Sequence, residues 1–394
     1  MRNRSSATSW CVAAGVFVLA IAQIAHGQTY TYSVLYGFKN NGKDPSNVYA
    51  SLIVDSAGNL YGASNNGGSH NLGSVFKVTK SGTLTVLHSF TGKPDGENPQ
   101  ASVIRDSAGN LYGSTLYGGE FSAGAVFKIS PSDQETILFN SFEKTGTNGG
   151  YPYGVVRDSA GNLYGTTLQG GSFYSGVAFK LDAADNFTIL HDFCSGGPPD
   201  CSDGEEPLNL ITAGANFYGV TEHGGDLGFG TVFEMTPQGV ETVLHTFDGS
   251  DGQLPNGSLR QDTKGNLYGV AFEGGTNNGG TLFKQPEAGG PATILYNFGS
   301  LPNCADGCFP QGPIALDKTG NIYGIAHASA AFTPEQAIVW EVNTSGKESI
   351  VYTFDSAVTV LAGIIIDSAG NLYGTTQSGG SSNLGVLYKL TLQK

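Results

Sequence analysis

Acidic and imidazole side chains occur in several glycine-rich segments of this chain. His223 follows Glu222 in TEHGGD, and Glu273 occupies a corresponding place in FEGGTN one repeat later. Two carboxylates beside an imidazole are groups that cleave glycosidic bonds by hydrolysis or elimination. The alternative is that these side chains are solvated loop residues, as is also possible for Glu120. The first hypothesis makes Glu222, His223 and Glu273 candidate catalytic residues.

Aromatic residues occur in the same kind of segment. Aromatic rings offer a large rigid apolar surface, and this suits stacking against sugar rings or apolar ligands. The alternative is that the rings cover neighbouring loops. The candidate ligand-binding residues are Tyr117, Phe121, Phe173, Tyr174, Phe229 and Phe272.

Two further segments combine acids with glycine. DGSDG contains Asp248 and Asp251, and DCSDGEE contains Asp200 and Asp203. Calcium binds oxygen ligands in flexible loops of this kind, although the spacing here differs from that of an EF-hand. We therefore expect no cofactor, with calcium at these four aspartates as the alternative.

Four cysteines follow residue 27, two in each of two loops rich in Gly and Pro. Cys194 and Cys201 lie in the first loop, and Cys304 and Cys308 lie in the second. In an exported chain this spacing predicts two local disulfides. The alternative, a four-cysteine zinc site, requires the two loops to meet.

A repeat carries these candidates. The octet DSAGNLYG begins at Asp55 and returns unchanged at Asp106, Asp158 and Asp367. Seven copies fill the chain after residue 27, so we expect a single repeat domain over residues 28–394. The tyrosine of the octet recurs at intervals of 50 to 55 residues: Tyr61, Tyr112, Tyr164, Tyr218, Tyr268, Tyr323 and Tyr373.

Each copy contains four short runs that are typical of β-strands. In the first complete copy they are ASLIVD, NLYGAS, SVFKVT and TLTVLHSF, separated by Gly, Asp and Asn. In DSAG, the Asp carboxylate accepts a hydrogen bond from the backbone N–H two residues on, and the Gly supplies a positive φ. Thr212 stands at the Asp position in the fourth copy, so we expect its turn to be the weakest.

The ends of the repeat predict a closed ring. TYSVLYGF, at residues 31–38, matches the fourth strand of a copy, whereas the last copy ends after its third strand, GVLYKLTLQK. An all-β, seven-bladed propeller of four-stranded antiparallel blades accounts for both, because the N-terminal strand then completes the last blade. Closure also removes long exposed sheet edges.

In such a propeller the second-to-third loops and the blade-to-blade loops gather at one end, which we call the loop face. Loops on a rigid scaffold are the usual place for a binding site, so we expect ligands there. His88, His191 and His245 share a strand position that other copies fill with Tyr or Phe, which indicates packing. The sixth copy replaces its GG loop with HASAAFTPEQ, containing His327 and Phe332, and is either a decayed blade or a specialised lip.

Composition and charge restrict the location and the partners. MRNR followed by an apolar run and AHG reads as a signal peptide over residues 1–27, with a retained membrane anchor as the alternative. Removal of Arg2 and Arg4 with that segment changes the formal net charge from −14 to −16. Such a surface repels nucleic acid, which binds to clustered Lys and Arg. We expect a secreted or periplasmic monomer without a membrane span.

In the elements DSAGNLYG, GG, GxVFK and TVLHxF, the sequence resembles the GloVer tandem-repeat family of exported bacterial proteins. The resemblance covers essentially the whole chain after residue 27 and implies export and a repeat scaffold, without implying an activity. The GNLYG core is also similar to NHL-type propeller repeats, whereas kelch repeats fit less well. Many such proteins end in a sorting anchor, but this sequence ends in LTLQK, so we do not expect anchoring by that route.

Three functional hypotheses follow. The first is a non-catalytic binding module for a glycan or a protein on the loop face. The second is a polysaccharide-cleaving enzyme that uses Glu222, His223 and Glu273. The third is an envelope-associated structural or interaction protein that binds no small ligand.

Overall fold

The protein is a seven-bladed β-propeller, seen in a computed structural model that describes residues 28–328, 336–354, 358–360 and 362–393. The predicted signal peptide and Phe332 of the sixth copy lie outside these residues. Each blade is an antiparallel sheet whose first strand lines the central channel and whose fourth strand lies outermost. None of the helices in the described ranges has the length and apolarity needed to cross a bilayer.

The strands follow the chain order of the repeat. Blade 1 has Ile53–Val54, Leu60–Ser64, Ser74–Val78 and Leu84–Ser89; blade 2 has Ile104–Arg105, Leu111–Thr115, Ala125–Ile129 and Glu135–Phe139; blade 3 has Gly150–Arg157, Leu163–Gln169, Val177–Leu181 and Phe187–Asp192. Blade 4 has Glu205–Pro207 and Ile211–Ala213 as an interrupted first strand, then Asn216–His223, Thr231–Met235 and Glu241–Thr246. Blade 5 has Gln253–Gln261, Asn266–Glu273, Thr281–Pro286 and Thr293–Asn297; blade 6 has Cys308–Leu316, Ile322–His327, Ala337–Val342 and Glu348–Thr353. Blade 7 has Ile365–Ile366, Leu372–Thr375, Val386–Leu392 and, outermost, Tyr30–Gly37. Pro45–Ser46 pairs with Asn66–Gly67, and Pro302–Cys304 forms a short 3-10 turn.

The N-terminal strand closes the ring, as the sequence predicts. Tyr30–Gly37 pairs antiparallel with Val386–Leu392, with Tyr30 opposite Leu392 and Gly37 opposite Val386. The ring of Tyr32 also stacks on Tyr352 of blade 6, with centroids 4.6 Å apart. The two ends of the chain therefore hold one blade together.

The aspartate of the octet organises the turn between the first and second strands. Asp55 Oδ1 accepts hydrogen bonds from the backbone N–H groups of Ala57 and Asn59, each at 2.9 Å. Its second oxygen accepts from the Asn59 side chain and from the Tyr61 hydroxyl at 3.1 Å. The Asn and Tyr of DSAGNLYG thus serve the same carboxylate as the turn itself.

Blade 4 replaces this turn with a tighter one. Thr212 lies within the strand Ile211–Ala213, opposite Phe217, and Gly214 (φ 59°) turns the chain directly into the second strand. The Tyr218 hydroxyl donates instead to Glu234 at 2.9 Å. Glu234, on the third strand, thus accepts from the side chains of Asn216 and Tyr218, as the turn aspartate does from the corresponding Asn and Tyr in other blades.

The glycine that follows the octet tyrosine faces a buried ring from the third strand in every blade. Gly113 lies opposite Phe127, and a Cβ atom on Gly113 would stand 2.6 Å from the ring tip. The same pairing recurs in all seven blades, between Gly62, Gly113, Gly165, Gly219, Gly269, Gly324 and Gly374 and, in the same order, Phe76, Phe127, Phe179, Phe233, Phe283, Trp340 and Tyr388. These rings fill the blade interiors because the opposite strand carries no side chain there.

Candidate functional site

Four aromatic side chains are exposed on the loop face. Tyr117 is 41% exposed, Phe121 50%, Phe173 40% and Tyr174 60%. No other Phe, Tyr or Trp side chain in the described ranges is strongly exposed. We call these four residues the aromatic patch. They come from the second-to-third loops of blades 2 and 3, which are neighbours in the ring. Exposed apolar groups gathered in one region mark interaction surfaces more often than isolated ones do.

The surroundings of the patch hold two of its rings in place. The Tyr117 ring meets Tyr151 edge-on, with centroids 5.2 Å apart. The Phe173 ring lies against Gly197, where a Cβ atom would be only 3.0 Å from it. Gly197 belongs to the loop between Cys194 and Cys201, so that loop forms one wall beside Phe173.

Phe229 and Phe272, the other two aromatic candidates, pack against their own neighbourhood. Phe229 packs on the apolar cluster between blades 4 and 5 and lies beside Gly249. Phe272 packs on Cys304, Cys308 and Phe309, with ring centroids of the two phenylalanines 5.4 Å apart. Both rings are half-buried and cover adjacent loops, as the alternative interpretation described.

The acidic candidates of the fourth copy meet a partner that the sequence pattern missed. His223 Nδ1 lies 3.3 Å from Glu206 Oε2, and one ligand atom each of Glu206, Glu222 and His223 falls within 4.8 Å of the others. Burial raises the pKa of the Glu222 carboxyl; His223 opposes that rise and Glu206 adds to it. We call these three residues the blade 4 cluster.

The structure leaves Glu273 outside the blade 4 cluster. Its carboxylate accepts a hydrogen bond from Gln253 at 2.8 Å. Glu120 likewise accepts from Ser141 at 2.9 Å. Sequence reasoning missed Glu206 because this residue lies in the interrupted first strand of blade 4. The repeat does not predict the register of that segment, in which the neighbouring Glu205 is paired with His223.

The four calcium candidates do not form one group. Asp203 binds His191 at 3.1 Å and Asp251 lies 2.8 Å from His245, each fastening a blade-to-blade loop to a fourth strand. Asp248 accepts from Ser250. Asp200 is exposed in its loop.

This fastening is itself a repeated device. It joins the tip of the fourth-strand His or Tyr to an aspartate of the next loop, and it explains the polar aromatic residue at that position in the blades that have one. Besides the two pairs above, it is present as His88–Asp95, Tyr296–Asp306 and Tyr36–Asp44.

Both predicted disulfides are confirmed. Cys194 is bonded to Cys201, and Cys304 to Cys308. Each closes a blade-to-blade loop on the loop face, and the zinc alternative is thereby wrong, because disulfide sulfurs are not thiolates. Disulfides are typical of proteins that fold outside the reducing cytosol.

The central channel widens away from the loop face. A cavity of about 160 Å³ at the loop end is bordered by Tyr49, Tyr153 and Gln311. A cavity of about 450 Å³ occupies the middle, and one of about 960 Å³ opens where the first-to-second and third-to-fourth turns gather, which we call the turn face. The widest of these three cavities therefore lies opposite the face on which the sequence places the ligand.

Solved structures with similarity to this chain have low sequence identity to it. The extracellular domain of a putative one-component system from B. thetaiotaomicron matches 93% of this chain with a TM-score of 0.57 and 11% identity, and the chain spans 42% of that protein's length. A putative gluconolactonase (TM-score 0.40, 14% identity, 68% of this chain and 81% of that one) and a gluconolactonase from Xanthomonas campestris (0.42, 14%, 73% and 83%) are also similar. Of these three structures, the first has a TM-score above 0.5, and it shows the fold alone.

A search of curated proteins finds no match. The family evidence comes instead from the repeat described above. The model of the Gloeobacter/Verrucomicrobia repeat matches residues 20–213 and again residues 206–394, so that together the two matches cover nearly the whole chain. The protein belongs to the Gloeobacter/Verrucomicrobia repeat family.

Proposed function

We propose that this protein is an exported, non-catalytic binding protein that engages a glycan through the aromatic patch on its loop face. The observation that carries the proposal is the position of the patch. Among the described residues every strongly exposed aromatic side chain belongs to two adjacent loops. The other aromatic side chains in the described ranges are buried or half-buried, so the exposure of these four rings indicates a surface for a partner.

The chemistry of the surroundings favours a carbohydrate. The mature chain is strongly acidic, which disfavours nucleic acid and other polyanions. Neutral sugars are not repelled by that field, and their flat apolar faces stack on exposed rings while their hydroxyls bond to nearby acceptors. Glu120 lies next to Phe121 and supplies such an acceptor. A protein partner is the alternative occupant of the same patch.

Removing the rings in pairs tests the proposal. The variants Tyr117→Ala/Phe121→Ala and Phe173→Ala/Tyr174→Ala are each expected to weaken glycan binding at least about tenfold, because each stacked ring contributes about 1 kcal/mol or more. A glycan array with the purified protein identifies the ligand, and calorimetry with each variant gives the affinities.

The matched control is Val240→Ala, which removes a side chain that is 61% exposed on the turn face. It should bind as the wild type does. Equal glycan affinity in all variants, or retention by a protein partner with silence on every glycan, would contradict the proposal.

The blade 4 cluster supports a second candidate function, the cleavage of a polysaccharide. A carboxyl whose pKa is raised by burial can donate a proton, and a second carboxylate beside a histidine can accept one. On this hypothesis Glu222 is the acid and Glu206 replaces Glu273 as its partner.

If the protein cleaves polysaccharides, Glu222→Gln should lower kcat about 10²–10⁴-fold, since the amide cannot donate that proton. Activity should also fall as pH rises through the raised pKa of Glu222. Reducing-end release from a polysaccharide panel measures both effects, and Asp133→Asn, at an exposed acid in the third-to-fourth turn of blade 2, serves as the control. Full activity of Glu222→Gln would remove this candidate.

A further inference from the structure

One set of equivalent first-strand residues along the central channel is apolar in every blade but one. The first-strand residue paired with the octet tyrosine is apolar in six blades: Ile53, Ile104, Val156, Ile211, Ala315 and Ile365. In blade 5 the residue at this position, opposite Tyr268, is Arg260. A cationic side chain thus stands at one of seven equivalent positions, and the other six are aliphatic.

Arg260 is also unlike the other described arginines. The guanidinium groups of Arg105 and Arg157 lie over the rings of Tyr61 and Tyr112, at 5.7 Å and 5.5 Å from the ring centroids. Arg260 makes no such ring contact and has no carboxylate within 4.0 Å among the described residues. Its hydrogen bond in the structure is a long one, from Nη1 to the carbonyl oxygen of Leu259 at 3.5 Å.

The channel gives this side chain a place to meet a ligand. Arg260 borders both the central cavity of about 450 Å³ and the turn-face cavity of about 960 Å³. Ser51, Ser102, Asn209 and Ser258 border the central cavity as well and add hydroxyl and amide groups around it. The space is sufficient for a small organic molecule.

The turn-face opening is locally cationic although the whole protein is acidic. Lys264, Lys284 and Lys318 line it together with Arg260, against the carboxylates of Asp262 and Asp317. Both carboxylates are occupied by their turns, for example by the side chains of Asn266 and Asn321. An anion that approaches from this side therefore meets an excess of positive charge.

We propose that the central channel is a binding site for a small oxyanion, a carboxylate or phosphate group carried by a small molecule, which enters from the turn face and is held by the Arg260 guanidinium. The Arg260 side chain is half-buried in the channel and has no counter-ion among the described residues, and the planar fork of a guanidinium matches the two oxygens of a carboxylate or phosphate. Burial also lowers the pKa of Arg260, as expected for a charge that lacks a partner. This site is separate from the aromatic patch.

Calorimetry tests the proposal with D-glucuronate and inorganic phosphate as probes, at constant ionic strength set with NaCl. We expect at least one probe to bind with one-to-one stoichiometry. Arg260→Ile, which restores the residue of four other blades, should reduce that affinity at least about tenfold, because a charge-assisted hydrogen bond to a half-buried partner is lost. Binding of one probe and not the other assigns the site to the carboxylate or to the phosphate.

Two further variants keep the result clear. Arg260→Lys retains the charge without the fork and should bind at an intermediate affinity, which also covers the case that Arg260→Ile does not fold. Lys80→Gln removes the same charge at an exposed turn and should bind as the wild type does. If neither probe binds to the wild type, or if Arg260→Ile binds equally well, the channel is not an oxyanion site.

Discussion

Replacement of Gly113 by alanine is expected to lower the free energy of unfolding by about 2–4 kcal/mol. The added Cβ atom would stand 2.6 Å from the tip of the Phe127 ring. Phe127 is fully buried and packs edge-on against Phe90, with centroids 5.1 Å apart, so the ring has no space into which it can retreat. Urea unfolding followed by intrinsic fluorescence measures the loss.

A double-mutant cycle separates the clash with Phe127 from any other cost of alanine at position 113. Phe127→Leu replaces the ring with a shorter side chain. The loss of unfolding free energy in Gly113→Ala/Phe127→Leu should therefore be smaller than the sum of the losses in the two single variants, by about 1 kcal/mol or more. Gly37→Ala is the matched control, because nothing lies within 4 Å of its Cβ position. Strict additivity of the two core substitutions would show that the ring is not what excludes a side chain at Gly113.

Thermal stability is expected to be greatest near pH 5 and to decline toward pH 8. The cause is three half-buried glutamates on fourth strands, Glu135, Glu241 and Glu348, each of which has one buried carboxylate oxygen without a hydrogen-bond partner. Burial is the main cause that raises the pKa of each to about 7. Nearby charges have smaller effects: His88 lowers and Asp95 raises the pKa of Glu135, and His191 lowers and Asp203 raises the pKa of Glu241. Asp306 raises the pKa of Glu348.

The sign follows from proton linkage. A folded-state pKa above the unfolded value near 4.5 means that the folded protein binds more protons between about pH 4.5 and 7, so stability falls as pH rises through that range. Each glutamate contributes about 1 kcal/mol after discounting for the solvent that reaches its surroundings.

The turn aspartates have the opposite effect. Burial opposes ionisation of Asp55 and Asp158, but hydrogen bonds from asparagine, backbone and tyrosine outweigh it and lower their pKa. Their stabilisation is present above the unfolded pKa and is lost as pH falls below about 4. The two effects together place the maximum in mildly acid solution.

Differential scanning calorimetry from pH 3 to pH 8 measures the profile. The triple variant Glu135→Gln/Glu241→Gln/Glu348→Gln should flatten the limb between pH 5 and pH 8, while the exposed-site control Glu120→Gln should leave it unchanged. A wild-type melting temperature that rises from pH 5 to pH 8 would contradict the assignment.

The repeat made the fold predictable from the sequence. A period of 50 to 55 residues, four strand-like runs in each period and a lone fourth strand at the N-terminus are local or periodic signals, and a closed ring of seven blades satisfies them all. The two disulfides followed from spacing, since a short loop between cysteines brings them together whatever surrounds it. The octet Asp was likewise predictable, because its turn is made within a few residues.

The candidate sites depended on contacts that no period records. Whether Phe121 or Phe272 faces solvent depends on how each loop meets the next blade, and the structure exposes the first and packs the second against a disulfide. Glu206 approaches His223 only because the first strand of blade 4 is irregular.

The surroundings of Arg260 were also not predictable from the sequence. Its place in the sequence is a first-strand position that is apolar in the other repeats, but the sequence contains no sign of what surrounds it. Only closure of the ring brings first strands from seven distant parts of the chain around one axis and encloses the guanidinium with them. Sequence thus determined the blades and their number, through interactions between near neighbours, whereas tertiary structure decided which side chains meet at the faces and along the axis, because those neighbours lie in different repeats.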